Sequence, residues 1–234
     1  MGARAVFAAA DGEGFSAAAA RFRAGPCSVV LVKDLSAPSP APFLSPVEQA
    51  ACDALKIPKR KAEWLGGRLA AKLAGAGAFF PEVPLREIEV RRELTGSPFL
   101  ACRGERSHVS ISHSAGVCGA AAGPDFLGLD IEETAPRHPG WYRDYFSPAE
   151  REGKDEAAMT GLWAAKEALF KALGLGLSCD TLDADLSGPE PVLRGKALAR
   201  WDELGRPAFV LESFHPAPGL EGRVVFAKER SNKR

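Results

Sequence analysis

The stretch Phe126-Leu127-Gly128-Leu129-Asp130-Ile131-Glu132-Glu133 decides how the rest of this 234-residue chain reads. Its apolar run predicts a buried strand, and residues two apart on a strand point to the same side. Asp130 and Glu132 therefore share one face, whereas Glu133 points to the other and is not counted as a ligand. Further along, Trp163-Ala164-Ala165-Lys166-Glu167-Ala168-Leu169-Phe170-Lys171 has helical spacing, with Trp163, Glu167 and Phe170 on one side and Lys171 one turn beyond Glu167. Three carboxylates with lysines beside them suit a hard cation such as Mg2+ that carries substrate phosphates. The plain alternatives are acids at an exposed strand end and a solvated Glu–Lys pair, worth about 0.2–0.5 kcal/mol. Against the first stands the apolar context, because buried acids need partners.

Two other clusters speak to the same chemistry. Val109-Ser110-Ile111-Ser112-His113-Ser114 alternates like a strand and then turns polar. Its hydroxyls, imidazole and backbone donors suit phosphate oxygens, although a lone histidine is usually structural. A Ser/His/Asp hydrolase is discounted because no G-x-S-x-G elbow accompanies the cluster. Lys59-Arg60-Lys61-Ala62-Glu63-Trp64-Leu65-Gly66-Gly67-Arg68 is the densest basic segment. It reads either as a solubilising helix face or as a grip on a phosphate monoester, with arginine binding as a two-pronged fork.

Composition narrows the class. Hydrophobic residues make up 46% and charged residues 26%, with formal net charge zero. Any basic site must therefore be local, and a polyanion-binding surface does not follow from the overall balance. The five cysteines Cys27, Cys52, Cys102, Cys118 and Cys179 are odd in number and contain no C-x-x-C pair. They argue for a reducing cytoplasm rather than a disulfide framework or zinc site. The N-terminal segment lacks an apolar signal-peptide core, and no run reaches the roughly 20 residues of a membrane span.

In order, the sequence predicts a short helix over residues 17–22 and a strand over Ser28–Lys33. Ser45-Pro46-x-Glu48 and Ser147-Pro148-x-Glu150 both read as helix starts, with a serine cap, a first-turn proline and an acid. A helix is expected from about Lys59 to Leu73, stopping near Gly75 and Gly77, and another over Asp155–Leu173. Strands are expected at Glu87–Arg92, Pro98–Cys102, Val109–Ser112, Val117–Ala121, Ala184–Leu186, Pro207–Phe214 and Arg223–Ala227. Lys196–Trp201 is left open, and Lys228–Arg234 reads as a charged, frayed tail. Strands and helices do not alternate regularly, so the class is α+β.

The series KRKAEWLGGR, GSPFL, VSISHS, LGLDIEE, FSPAE and WAAKEALFKALGLGL resembles the 4'-phosphopantetheinyl transferases, in their Sfp-type branch. The resemblance covers roughly residues 45–186, and its most specific parts are the acid strand and the W-x-x-K-E-x-x-x-K helix. It implies Mg-dependent transfer of the phosphopantetheine arm of coenzyme A to a serine of an acyl or peptidyl carrier protein, leaving adenosine 3',5'-bisphosphate. It also implies a monomer built as a pseudo-twofold pair of α+β halves, 1–123 and 124–234, with coenzyme A in the cleft between them. Carried over by position, Asp130, Glu132 and Glu167 hold Mg2+ or Mn2+, and Glu167 is also the general base. Lys171 neutralises the pyrophosphate and leaving group, with Lys166 as a helper. Ser112 and His113 form the phosphate-contacting turn, and Arg60 and Arg68 lie near the adenosine 3'-phosphate. The acidic carrier is expected to dock beside the cleft through apolar contacts and a few basic residues.

Ser97 departs from the pattern, since the family often has a lysine between that glycine and proline. Arg103, Arg106 or Lys61 is expected to replace the lost charge. The alternative of a different class is a non-catalytic coenzyme A or nucleotide-binding module of the same fold. A metal-dependent phosphohydrolase acting on a diphosphate is a third reading, opposed by the remote basic cluster.

Overall fold

A computed structural model describes residues 3–4, 7–12, 14–123 and 125–228. Strands β1 (Ala3–Arg4), β2 (Ala8–Gly12), β3 (Phe15–Ala24) and β4 (Cys27–Ser36) come first. The helix expected over 17–22 is thus part of a strand. Its alanines pair between two neighbouring strands, Ala19 with Ala8 and with Val32, and this pairing overrides their local helix preference. Helices α1 (Pro46–Asp53) and α2 (Pro58–Ala78) follow. Helix α2 does not stop at Gly75. A side chain there would press on Leu100 at 2.4 Å, so this glycine serves close packing rather than termination.

Next come β5 (Glu89–Arg92), β6 (Pro98–Cys102), β7 (Glu105–Ser114), β8 (Val117–Gly123) and β9 (Leu127–Glu133). After them lie α3 (Pro139–Tyr145), α4 (Pro148–Arg151), α5 (Glu156–Ala172), β10 (Ala184–Asp185) and β11 (Val192–Leu193). The chain closes with α6 (Gly195–Glu203), β12 (Phe209–His215) and β13 (Leu220–Ala227). The open segment around Lys196–Trp201 is helical, and of the expected tail only Lys228 lies within the described residues.

The class is α+β. Strands β2-β3-β4-β8-β7-β6-β5 form a seven-stranded antiparallel sheet, and β1-β12-β13-β9 form a four-stranded sheet in which β1 runs parallel to β12 and the other pairs are antiparallel. One face of the larger sheet packs on α2 through Val30, Val32, Val109, Leu100 and Leu69. Its other face packs on the smaller sheet through Val29, Leu31, Leu129, Ile131 and Val224. Helix α5 covers the remaining face of the smaller sheet, where Ala168 and Ala172 meet Val225. The layers run helix, sheet, sheet, helix.

Both serine-proline helix starts form full capping boxes, and both use their glutamate again. Glu48 accepts from the buried Lys72 at 2.6 Å and from the Val90 amide at 3.0 Å. Glu150 is salt-bridged to the buried Lys166 at 2.8 Å and accepts from the Leu186 amide at 2.8 Å. One device therefore recurs: a capping acid ties a long helix to a backbone amide, in β5 for Glu48 and just past β10 for Glu150. All five cysteines are buried and free. Among the described residues no helix is long and apolar enough to cross a membrane.

Candidate active site

The acids are brought together by a close helix–strand contact. Leu127, Leu129 and Ile131 of β9 enter the core between the sheets, which leaves Gly128, Asp130 and Glu132 on the other side. A Cβ on Gly128 would lie 1.8 Å from the Ala168 carbonyl oxygen, so glycine is what lets α5 lie this near β9. Glu167, on α5, thereby comes within the electrostatic reach of Asp130 and Glu132.

Asp130 is 3% exposed. Its Oδ1 accepts from Lys171 Nζ at 2.6 Å and from Ser112 Oγ at 2.8 Å. Its Oδ2 is buried and has no hydrogen-bond partner. Glu132 accepts from the Trp163 indole at 3.2 Å on one oxygen and faces Arg137 at 3.5 Å on the other. Burial, and then the Asp130 charge, holds the Glu132 carboxyl above its ordinary range. The same two causes push Glu167 up to about 7, against the pull of Lys171.

A buried carboxylate oxygen without a donor, beside two acids that resist ionising, is a local excess of negative charge. A divalent cation would relieve it, and the all-oxygen donor set suits Mg2+ or Mn2+. Among the described residues no group of three or more His, Cys, Asp or Glu side chains stands close enough together to hold a metal ion as the side chains lie. Lys171 instead balances Asp130, and Arg137 balances Glu132.

The basic residues line two cavities. The smaller, about 290 Å³, is bounded by Arg60, Glu63, Trp64, Arg68, Arg92 and His113, among others. Arg68 is 9% exposed, stacks on the Trp64 ring at 3.9 Å and leaves a buried Nε–H without a partner. Burial depresses its pKa to about 10. An almost buried guanidinium with an unused donor is suited to an anion. Arg60 is exposed at the rim, and His113 stands 3.8 Å from Glu63.

The larger cavity, about 790 Å³, lies between the β5–β7 segment and the end of α5. It touches the acid cluster only through Lys171. Ser97 lines it, as do Arg92, Arg106 and Arg200. Of the three residues expected to make up for Ser97, Arg106 reaches the cavity, stacked 3.9 Å over Phe99 and ion-paired with Glu93, which lines the same cavity. Arg103 is paired with Glu87 and Lys61 with Asp53. Arg92, which borders both cavities, gives no local signal in the sequence, where Arg91 and Arg92 read as the charged end of a strand.

Two of the expected site residues are engaged within the fold. Lys166 is fully buried, paired with Glu150, and donates to the Tyr145 and Thr181 carbonyls, so its three protons are taken by the fold. It lines neither cavity. Ser112 is 8% exposed; its hydroxyl donates to Asp130 and accepts from the Ile131 amide at 3.3 Å. It orients an acid rather than offering a free hydroxyl to a phosphate. Ser110 makes the matching bond to the Leu129 amide at 2.9 Å, so two serines clasp β9 to β7.

Residues 126–208 match the sequence model of the 4'-phosphopantetheinyl transferase superfamily. The chain is also similar to a holo-[acyl-carrier-protein] synthase of Campylobacter jejuni, 41% identical over 73 residues. That match takes in 29% of this chain and 64% of the relative. A holo-[acyl-carrier-protein] synthase of Geobacillus is 43% identical over 63 residues, which is 24% of this chain and 53% of the relative. The chain thus spans somewhat less than two thirds of the curated relatives it matches.

Proposed function

We propose that this chain transfers the 4'-phosphopantetheine arm of coenzyme A to a serine hydroxyl of an apo acyl or peptidyl carrier protein, leaving adenosine 3',5'-bisphosphate. The observation that carries the reading is Glu167, held at about 7 beside Asp130 and Lys171 within the matched residues 126–208. A carboxyl in that range is suited to taking a proton near neutral pH. Glu167 accepts the serine proton, directly or through water, as the serine oxygen bonds to the phosphorus that carries the pantetheine. The bond from that phosphorus to the bridging oxygen breaks, and the electron pair leaves with the bisphosphate.

Lys171, which balances Asp130 in the free protein, supplies positive charge at the pyrophosphate and the departing oxygen. Asp130, Glu132 and Glu167 would hold Mg2+ or Mn2+, which supplies charge neutralisation at the pyrophosphate. Arg68, with Arg60 and His113, serves the 3'-phosphate, and the larger cavity with Arg92 and Arg106 serves the rest of the nucleotide. In this reading the chain acts as a cytoplasmic, Sfp-type monomer with coenzyme A between its halves 1–123 and 124–234.

The test is incubation with coenzyme A, Mg2+ and a panel of apo carrier proteins, read by mass spectrometry. Addition of the phosphopantetheine mass to a carrier is expected. The competing reading, a binding module without turnover, takes support from Lys171 already occupying Asp130 Oδ1. Coenzyme A binding with no transfer to any carrier would favour it.

A further inference from the structure

We propose that Arg137 is a displaceable counter-ion of Glu132, which competes with the divalent cation and so sets how tightly the free protein takes it up. The inference rests on the reading of Asp130, Glu132 and Glu167 as the cation's ligands. Both oxygens of Glu132 are engaged, but by partners of different kinds. Trp163 gives a neutral indole N–H at 3.2 Å and is wedged among Trp141, Tyr145 and Phe146, with ring centroids 5.4, 5.2 and 6.2 Å away. A neutral donor on one oxygen leaves the carboxylate's charge available to a cation on the other.

Arg137 is the opposite case. Its guanidinium faces the second oxygen at 3.5 Å, and its side chain keeps 36% exposure. It lies between the end of β9 and the start of α3, 5.4 Å over the Trp141 ring, with a direct path to solvent. A charged group there both occupies an oxygen that the cation needs and repels the cation itself. Asp130 and Lys171 also act on Glu132, and Glu221, paired with Arg223, stands opposite it on β13; Lys171 is already committed to Asp130 Oδ1 and the Leu129 carbonyl. Arg137, 36% exposed, is therefore more exposed than Lys171 at 26% or Arg223 at 13%. A half-exposed pair is weak, so it delays the cation without excluding it.

The experiment titrates Mn2+ into the full chain at low ionic strength without coenzyme A or carrier. Free Mn2+ is followed by its paramagnetic resonance signal. Arg137→Gln should bind Mn2+ about two- to fivefold more tightly than wild type, the scale of a half-exposed ion pair. The gap should close at high salt, where such a pair is screened. Arg137→Lys keeps the charge and should stay near wild type. Wild type that binds Mn2+, with Arg137→Gln equal or weaker, would overturn the role of Arg137 alone. Wild type that binds no more Mn2+ than Glu167→Gln would overturn the cation reading and this inference with it.

Discussion

Lys171 Nζ stands 2.6 Å from Asp130 Oδ1, and this contact joins the helix and strand that the sequence singled out separately. Read on the helix alone, Lys171 is an ordinary i,i+4 partner of Glu167. In the fold it reaches past Glu167 to the strand, where it neutralises the more buried acid and donates to the Leu129 carbonyl at 3.1 Å. Glu167 is left in the cluster under the push of burial and of Asp130. The lysine's choice of partner is what leaves the neighbouring carboxyl poised.

The pH dependence of stability follows from that poise. Glu167 sits at about 7 in the folded protein against an ordinary value of 4.5. A raised folded pKa favours the fold fully below the ordinary value, and that contribution is lost as pH rises through about 7. In divalent-free buffer the melting temperature of wild type should fall relative to Glu167→Gln between mildly acidic and mildly alkaline pH. Saturating Mg2+ should shrink the difference. Parallel melting curves at all pH values would contradict the assignment.

Ser112→Ala should act on Asp130 rather than on coenzyme A. It removes the donor at 2.8 Å and strips the Ile131 amide of its acceptor. Leaving a buried donor unpaired costs about 1–3 kcal/mol, measurable by urea denaturation. Divalent-cation affinity should fall while affinity for coenzyme A in cation-free buffer holds. A selective loss of the latter would return Ser112 to the phosphate turn.

Lys166→Met tests whether this lysine serves the fold. It leaves Glu150 buried without its counter-charge, a loss of about 3–5 kcal/mol. Adding Glu150→Gln should recover part of it, so a double-mutant cycle should show clear coupling between the two sites. Full stability with weakened coenzyme A binding would put Lys166 back at the substrate.

Arg68→Ala should weaken coenzyme A more than its analogue lacking the 3'-phosphate, by calorimetry. The basis is the buried, unused Nε–H beside the smaller cavity. Equal weakening of the two ligands would remove Arg68 from that role.

The local signals were legible wherever one segment carries its own chemistry. Ser45 and Ser147 announce helix starts because capping is a matter of a few adjacent residues, and both boxes form. Asp130 and Glu132 announce a shared face because a strand alternates. What stayed hidden depends on partners far along the chain. Ala17 to Ala20 look helical until β2 and β4 flank them. Lys166 looks like a substrate lysine until Glu150 and two carbonyls enclose it. Ser112 looks free until β9 lies beside it. Gly128 gives no hint in sequence that α5 passes close enough to forbid a side chain.

The central claim is that Glu167 does chemistry rather than merely binding. The most direct measurement follows transfer to an apo carrier by mass spectrometry, alongside calorimetric coenzyme A binding, for wild type and Glu167→Gln. Wild type should load the carrier, whereas the variant should retain most coenzyme A affinity and load none. Equal loading by the variant, or none by wild type on any carrier, would contradict it.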